Sequence, residues 1–279
     1  MDRRERLIAV FHDTQAYYTE NRRLTDAVHR GIAAVKLYGE SDYPELPEAQ
    51  KSGNVTVTKS RTFESAMRLR KGRPDAKIAV LNFASATNPG GGVKSGASAQ
   101  EECLCRCSTL YPTLNQRRLW DQYFLPNRAA NDPLHTDVCI YTPGVVICKT
   151  DESFPQRLPE EQFATVDVVT CAAPNLRRVP GNYHNPDASE AASVTRQQLF
   201  DLHVKRAKHI LHVAAANGVD CLVLGAFGCG AFENDPNVVA RAYAVAVEEY
   251  RRSFDVIEFA IYCREWEAEN YNAFKAWCK

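Results

Sequence analysis

The sequence has no net charge, no membrane-length apolar run and no paired cysteine motif, and each absence removes a class of function. Its 279 residues hold 34 Lys+Arg against 34 Asp+Glu. A non-specific nucleic-acid binder carries a basic excess, because phosphate neutralisation dominates its affinity. A disordered chain is poorer in apolar residues than the 45% found here and richer in net charge. A small anionic ligand stays open, since it needs only local donors. No stretch approaches the ~18 uninterrupted apolar residues of a membrane span. The nearest, Ile210 to Phe232, is broken by His212, Asn217 and Asp220. The N-terminal apolar stretch, Leu7 to Phe11, runs straight into His12 and Asp13 and does not read as a signal peptide. The 10 cysteines show no Cys-x-x-Cys pair and no zinc-finger spacing, so reduced thiols in a cytoplasmic protein are the expectation. Cys103, Cys105 and Cys107 alternate; on a helix only Cys103 and Cys107 share a face. Small buried hydrophobes are expected there in preference to a metal site. Internal repeats and low-complexity tracts are absent.

What is present is alternation. Arg3 to Tyr38 reads as helical, with Thr25 and Asp26 helping to start a second helix. Gly39 to Gly53 is a turn-rich connector. Strand and helix patterns then follow: strands at Asn54–Thr58, Lys77–Phe83, Val138–Tyr141, Val145–Cys148, Thr165–Cys171, Cys221–Leu224 and Val256–Cys263; helices at Thr62–Leu69, Ser98–Leu114, Ala191–Asn217, Pro236–Tyr250 and Glu265–Trp277. Ala173 to Pro186 reads as loop. Near-continuous apolar strands suit a sheet covered on both faces. The pattern predicts a three-layer α/β domain with a mostly parallel sheet. The N-terminal helices read as an appendage to it, not an independent domain.

Two glycine-rich turns leave strands and enter helices. The first contains Asn88-Pro-Gly-Gly-Gly92, then seven residues, then Gln100-Glu-Glu102. Without Cβ atoms, Gly90 to Gly92 allow a ligand close to the main chain. The second is Gly225-Ala-Phe-Gly-Cys-Gly-Ala-Phe232, with Asp235 as expected N-cap and Pro236 at the first helical position. Exposed N–H groups beside a helix start make an anion site that needs no basic side chain. The spacing G-x-x-G-x-G is not the dinucleotide fingerprint. Two such turns at strand ends favour a ligand crevice. Adjacent Glu101 and Glu102 leave a helix about 100° apart, so they are not expected to face the same atom. Ser98-Ala-Gln-Glu101 also fits a capping box, which would make Glu101 structural. Glu102 has no such alternative beyond a solvated surface acid. A general acid must hold its proton near neutral pH, which burial, Glu101 and an incoming diphosphate favour and a helix N-terminus opposes.

Gly-Gly-Gly, seven residues, Gln-Glu-Glu resembles the signature of poly(ADP-ribose) glycohydrolases of the microbial type, built on a macrodomain. Val80 to Gly92, Leu110-Tyr111, Ala173-Pro-Asn175 and Leu224 to Asn234 extend the likeness over essentially the whole chain. The resemblance implies a macrodomain-like α/β fold, a mixed, mostly parallel sheet flanked by helices. Residues 1–50 would form an N-terminal helical extension packed on a catalytic domain of residues 51–279. It implies ADP-ribose in a crevice across the top of the sheet, with Gly90, Gly91 and Gly92 against the scissile ribose and Asn88 nearby. Glu102 takes the catalytic position, and Glu101 and Gln100 hold the ribose and orient it. Gly225, Ala226, Phe227, Gly228, Cys229, Gly230, Ala231 and Phe232 wrap the diphosphate, Phe227 packing on the terminal ribose. Tyr262 is a candidate adenine-stacking residue, or a core aromatic. The N-terminal helices would close the adenosine end and favour removal of terminal units. No cofactor or metal is implied. The implied setting is a cytoplasmic monomer acting on poly(ADP-ribose) or ADP-ribosylated proteins. Its product ligand would be ADP-ribose, with neither membrane nor direct DNA contact. Two alternatives share the crevice: a hydrolase for single ADP-ribose units on Arg or Ser, and a macrodomain that binds without turnover.

Overall fold

A computed structural model describes residues 2–48, 50–179, 191–264 and 266–278. Its centre is a seven-stranded sheet in the order β1-β4-β5-β3-β6-β7-β2. The strands are β1 (Lys36–Tyr38), β2 (Asn54–Thr58), β3 (Ile78–Phe83), β4 (Cys139–Ile147), β5 (Ala164–Cys171), β6 (Cys221–Leu224) and β7 (Val256–Ala260). β4 alone runs against the others, pairing antiparallel with β1 and β5, while β5, β3, β6, β7 and β2 pair parallel.

Side-chain alternation along β3 divides the core. Ala79 and Leu81 point into one apolar layer, with Ile210, Val239 and Phe274. Ile78 and Val80 point into the other, with Phe11, Phe63 and Leu104. The first layer is roofed by α8 (Arg196–Ala216), α9 (Pro236–Tyr250) and α10 (Glu269–Trp277). The second is covered by α1 (Arg3–Glu20), α2 (Arg22–Ala34), α3 (Thr62–Gly72), α4 (Gln100–Cys107) and α5 (Leu110–Leu114). Short helices α6 (Arg117–Leu119) and α7 (Leu125–Ala130) flank a π-helical turn at Trp120–Phe124. The expected three-layer α/β architecture is present.

Several local expectations change. The helical reading of Arg3 to Tyr38 ends at Ala34, and Lys36–Tyr38 forms the edge strand against β4. The second helix is capped by Asn21, whose side chain accepts from Leu24 N–H at 3.1 Å, not by Thr25 or Asp26. The helix expected over Ser98–Leu114 is interrupted at Ser108, which bridges to Ile147. The two strands expected around Tyr141 and Val146 are one strand, bent by a register shift between Thr142 and Val145. α8 starts at Arg196 behind a Thr195 capping box. Of the loop expected over Ala173–Pro186, positions 180–186 lie outside the described residues, as does Glu265 of the last helix.

The N-terminal helices are built into the core. Phe11 is fully buried and meets Tyr111 edge-on at 4.9 Å. Buried Lys149 donates to Val10 O at 2.9 Å and pairs with Asp13 at 2.6 Å, and Thr14 donates to Arg106 O at 2.7 Å. Arg4 Nε reaches Ser95 O at 2.6 Å, fastening the start of α1 to the first glycine turn. Among the described residues no helix is long and apolar enough to cross a membrane.

Candidate active site

Both glycine turns lie at the carboxyl ends of neighbouring strands, the first after β3 and the second after β6. Ala99, not Ser98, is the N-cap of α4, and it makes no side-chain cap bond. The capping box therefore does not form. The Glu101 carboxylate instead turns to the preceding loop. It accepts from Ser85 N–H at 2.7 Å, Gly90 N–H at 3.2 Å and Asn82 Nδ2 at 3.3 Å. Glu102 Oε1 accepts from Gly92 N–H at 2.8 Å, while its Oε2 is buried with no partner.

The two carboxyls, expected to diverge, converge. They leave the helix on different bearings, but three-carbon side chains bring both against one glycine. A Cβ on Gly91 would sit 2.5 Å from Glu102 Oε1 and 3.1 Å from Glu101 Oε2. Gly91 also has φ +56°, in the left-handed region that glycine adopts without strain. Burial and the neighbouring Glu102 charge push the Glu101 carboxyl up to about 8, against its three hydrogen-bond donors. Glu101 therefore holds its proton near neutral pH. Both oxygens of Glu101 face donors, which fixes that carboxyl in place. Glu102 Oε2 alone has room to deliver a proton.

The second turn uses its backbone differently. Among the described residues, the N–H groups of Gly228, Gly230, Ala231 and Phe232 have no protein acceptor. They form a set of free donors at the strand end, suited to a diphosphate. Gly228 has φ +77°, and a Cβ there would press on Ala173 at 2.7 Å and Asn234 at 2.8 Å. Asp235 caps α9 as expected, accepting from Asn237 N–H at 2.9 Å, with Pro236 in the first turn.

A single cleft of about 800 Å³ joins the two turns. Its walls include Asn88, Gly91, Gly92, Gln100, Glu101 and Glu102 from the first, and Ala226, Gly228, Gly230, Ala231 and Phe232 from the second. Arg3, Arg4 and Leu7 of α1 complete one side, and Tyr262 stands on the rim, 56% exposed, with the Arg61 guanidinium 4.1 Å from its ring centre. Tyr262 is therefore a surface aromatic, not core.

The description "Microbial-type PARG, catalytic domain" fits residues 8–150 of the chain. The chain is 31% identical to a poly(ADP-ribose) glycohydrolase of Thermomonospora curvata, with a TM-score of 0.82 over 98% of this chain and 99% of that one. The chain belongs to the microbial-type PARG family. The same enzyme bound to the inhibitor ADP-HPD is 30% identical over 98% and 99%, with a TM-score of 0.79. A poly(ADP-ribose) glycohydrolase of Deinococcus radiodurans in complex with ADP-ribose is 33% identical over 89% and 96%, with a TM-score of 0.74. No curated protein sequence matches the chain significantly.

Against the microbial-type PARG signature, some residues take other parts than expected. Phe227 is fully buried and packs edge-on against Phe83 at 5.7 Å and His203 at 6.1 Å, so it supports the turn from beneath and does not face the cleft. Phe232, half-buried, is the aromatic on the wall. Gly225 and Cys229 also lie behind it; a Cβ on Gly225 would meet Ala260 O at 2.8 Å. Gly90 N–H serves Glu101, and a Cβ there would meet Tyr111 at 2.7 Å. Gln100 is taken up by the protein: Nε2 donates to Leu81 O at 2.7 Å and Thr62 Oγ1 at 3.1 Å, and Oε1 accepts from Phe83 N–H at 2.9 Å. It locks α4 to the end of β3 and so orients the carboxyls. Asn88 Nδ2 donates to Gly91 O, bracing the same turn. Sequence reasoning missed Asn82, a fully buried amide in an apolar strand; that contrast was its signal. Cys105 and Cys107 are buried, and among the described residues no group of three or more His, Cys, Asp or Glu is placed to hold a metal ion.

Proposed function

We propose that this chain hydrolyses the O-glycosidic ribose–ribose bond of poly(ADP-ribose) and releases ADP-ribose from the chain end. One observation carries the reading: a buried carboxyl, Glu102, fixed through one oxygen by Gly92 N–H with its other oxygen free, in the same cleft as a turn of unused N–H donors. The donors of Gly228, Gly230, Ala231 and Phe232 hold the diphosphate, and Gly91 and Gly92 bring the scissile ribose to Glu102. Tyr262 offers a face for adenine.

The bond breaks through an oxocarbenium-like transition state. Glu102 Oε2 gives its proton to the departing ribose oxygen as the C–O bond opens. The substrate's own diphosphate, lying nearby, stabilises the developing positive charge. The Glu102 carboxylate then takes a proton from the water that adds to the anomeric carbon, which restores the acid. Glu101, pinned by its three donors, fixes its own carboxyl beside Glu102 and so sets the spacing of the pair. Arg3, Arg4 and Leu7 line the cleft beside the first turn, where Arg4 bonds Ser95 O.

The test incubates the protein with automodified polymer and, separately, with singly Arg- or Ser-modified targets, following free ADP-ribose for wild type and Glu102→Gln. Polymer loss by wild type but not the variant is the expected result. Release only from single modifications would move the assignment to a mono-ADP-ribosyl hydrolase. Binding without release from any substrate would make it a reader. Both outcomes contradict the proposal.

A further inference from the structure

The free donors of the second turn owe their direction to a polar group buried beneath it. Asn234 closes that turn, and its side chain is 2% exposed. Its Nδ2 faces three carbonyls: Pro174 O at 2.7 Å, Gly228 O at 3.0 Å and Phe232 O at 3.1 Å. Its backbone N–H adds a second bond to Gly228 O at 3.1 Å, and Leu176 N–H bonds Phe232 O at 3.0 Å. Drawing the Gly228 and Phe232 carbonyls inward sets the course of the stretch between them, where the Gly230, Ala231 and Phe232 N–H groups have no protein acceptor among the described residues. The amide also ties this turn to the adjacent Ala173–Asn175 segment.

That orientation holds only if the amide does not flip, because the reversed group would set its oxygen against three carbonyl oxygens. The remaining partner decides it. His203, on the buried face of α8, lies 2.8 Å through Nε2 from Asn234 Oδ1. The His203 ring is fully buried, and its Nδ1 has no partner. The amide assignment requires Nε2 to carry the hydrogen. One turn further, Arg206 anchors the post by donating to Asp137, Leu134 O, Ala172 O and His135 O.

We infer that His203 and Asn234 are positioning residues for substrate, a buried donor–amide relay that aims the backbone N–H groups of Gly228, Gly230, Ala231 and Phe232 at an anionic diphosphate. The inference rests on the diphosphate reading above. Neither residue lines the cleft, so their effect falls on binding, not on the proton transfer at Glu102.

The experiment measures ADP-ribose binding by calorimetry and polymer turnover for wild type, His203→Met and His203→Gln, with thermal melting to verify folding. Methionine fills the site without a donor; glutamine restores an N–H. The expected result for His203→Met is Kd and KM about tenfold higher with kcat within about threefold, the scale of one unmade buried hydrogen bond. His203→Gln should bind within about threefold of wild type, since the donor is restored. A folded His203→Met that binds as wild type does, or one that loses kcat at unchanged KM, overturns the relay. Wild type that binds no ADP-ribose overturns the diphosphate reading first. Should His203→Met not fold, nitrogen NMR of the wild-type imidazole decides: the Nε2–H tautomer is required, and an Nδ1–H tautomer contradicts the relay.

Discussion

The two glycine turns leave adjacent strands and share a residue type, yet their backbone N–H groups point to opposite uses. In the first, all three glycine N–H groups are engaged within the protein: Gly90 with Glu101, Gly91 with Asn88 O and Gly92 with Glu102. In the second, Gly228, Gly230, Ala231 and Phe232 keep theirs unengaged. One turn holds the protein's own acidic groups in place; the other leaves its donors for the negative charge of a ligand. The contrast also reconciles a zero net charge with the proposed polyanionic substrate, because main-chain donors need no basic surface.

The largest expected effect comes from Gly91→Ala. Its Cβ would lie 2.5 Å from Glu102 Oε1 at a φ of +56°. Turnover should fall by about 10²–10⁴, the range for loss of a general acid, measured as kcat on polymer. The bulkier Gly91→Val should act in the same way, by displacing the carboxyls. Gly228→Ala should act in the other sense. Contact with Ala173 and Asn234 distorts the donor turn, so ADP-ribose affinity should drop about tenfold or more while kcat changes less. Equal patterns from the two alanines would dissolve the comparison.

A smaller effect is expected with pH. Glu101 in the fold is raised from 4.5 to about 8, so between those values the native state binds more protons than the unfolded chain. Stability from this group is complete below 4.5 and is lost as pH rises through about 8. The melting temperature of Glu101→Gln should therefore gain on wild type across that interval. Turnover should decline above about 8, when Glu101 gives up its proton and sets a negative charge beside Glu102. An opposite trend in the melting series would place the burden of burial elsewhere. The smallest effect is that of salt. Raising it from about 50 to 200 mM should change kcat/KM by well under tenfold, since the proposed hold on one terminal diphosphate is made by main-chain N–H groups. A steep decline would reveal a basic track.

Most of the frame was legible because its strands are apolar runs and its turns are marked by glycine. β2, β6 and α9 fall where periodicity and the Asp235-Pro236 start place them. The misreadings have physical causes. β1 is three residues long and continues the helical spacing of Val35, so only pairing with β4 defines it. β4 reads as two strands because Pro143 and Gly144 interrupt its pattern, though the bulge keeps it one. The first turn's part was readable from Gln-Glu-Glu after three glycines, whereas the convergence of both carboxyls on Gly91 depends on side-chain length and loop shape. Phe227 and Phe232 sit in the same turn, and nothing local says which faces inward. The relay from His203 to Asn234 spans 31 residues and exists only in the folded chain.

The most direct measurement compares ADP-ribose affinity with polymer turnover in Glu102→Gln. The amide keeps the shape of the first turn and leaves the second untouched. The expected result is affinity within a few-fold of wild type and kcat lower by about 10²–10⁴. Wild-type turnover in the variant, or a parallel loss of affinity, would contradict the separation of proton transfer at one turn from diphosphate binding at the other.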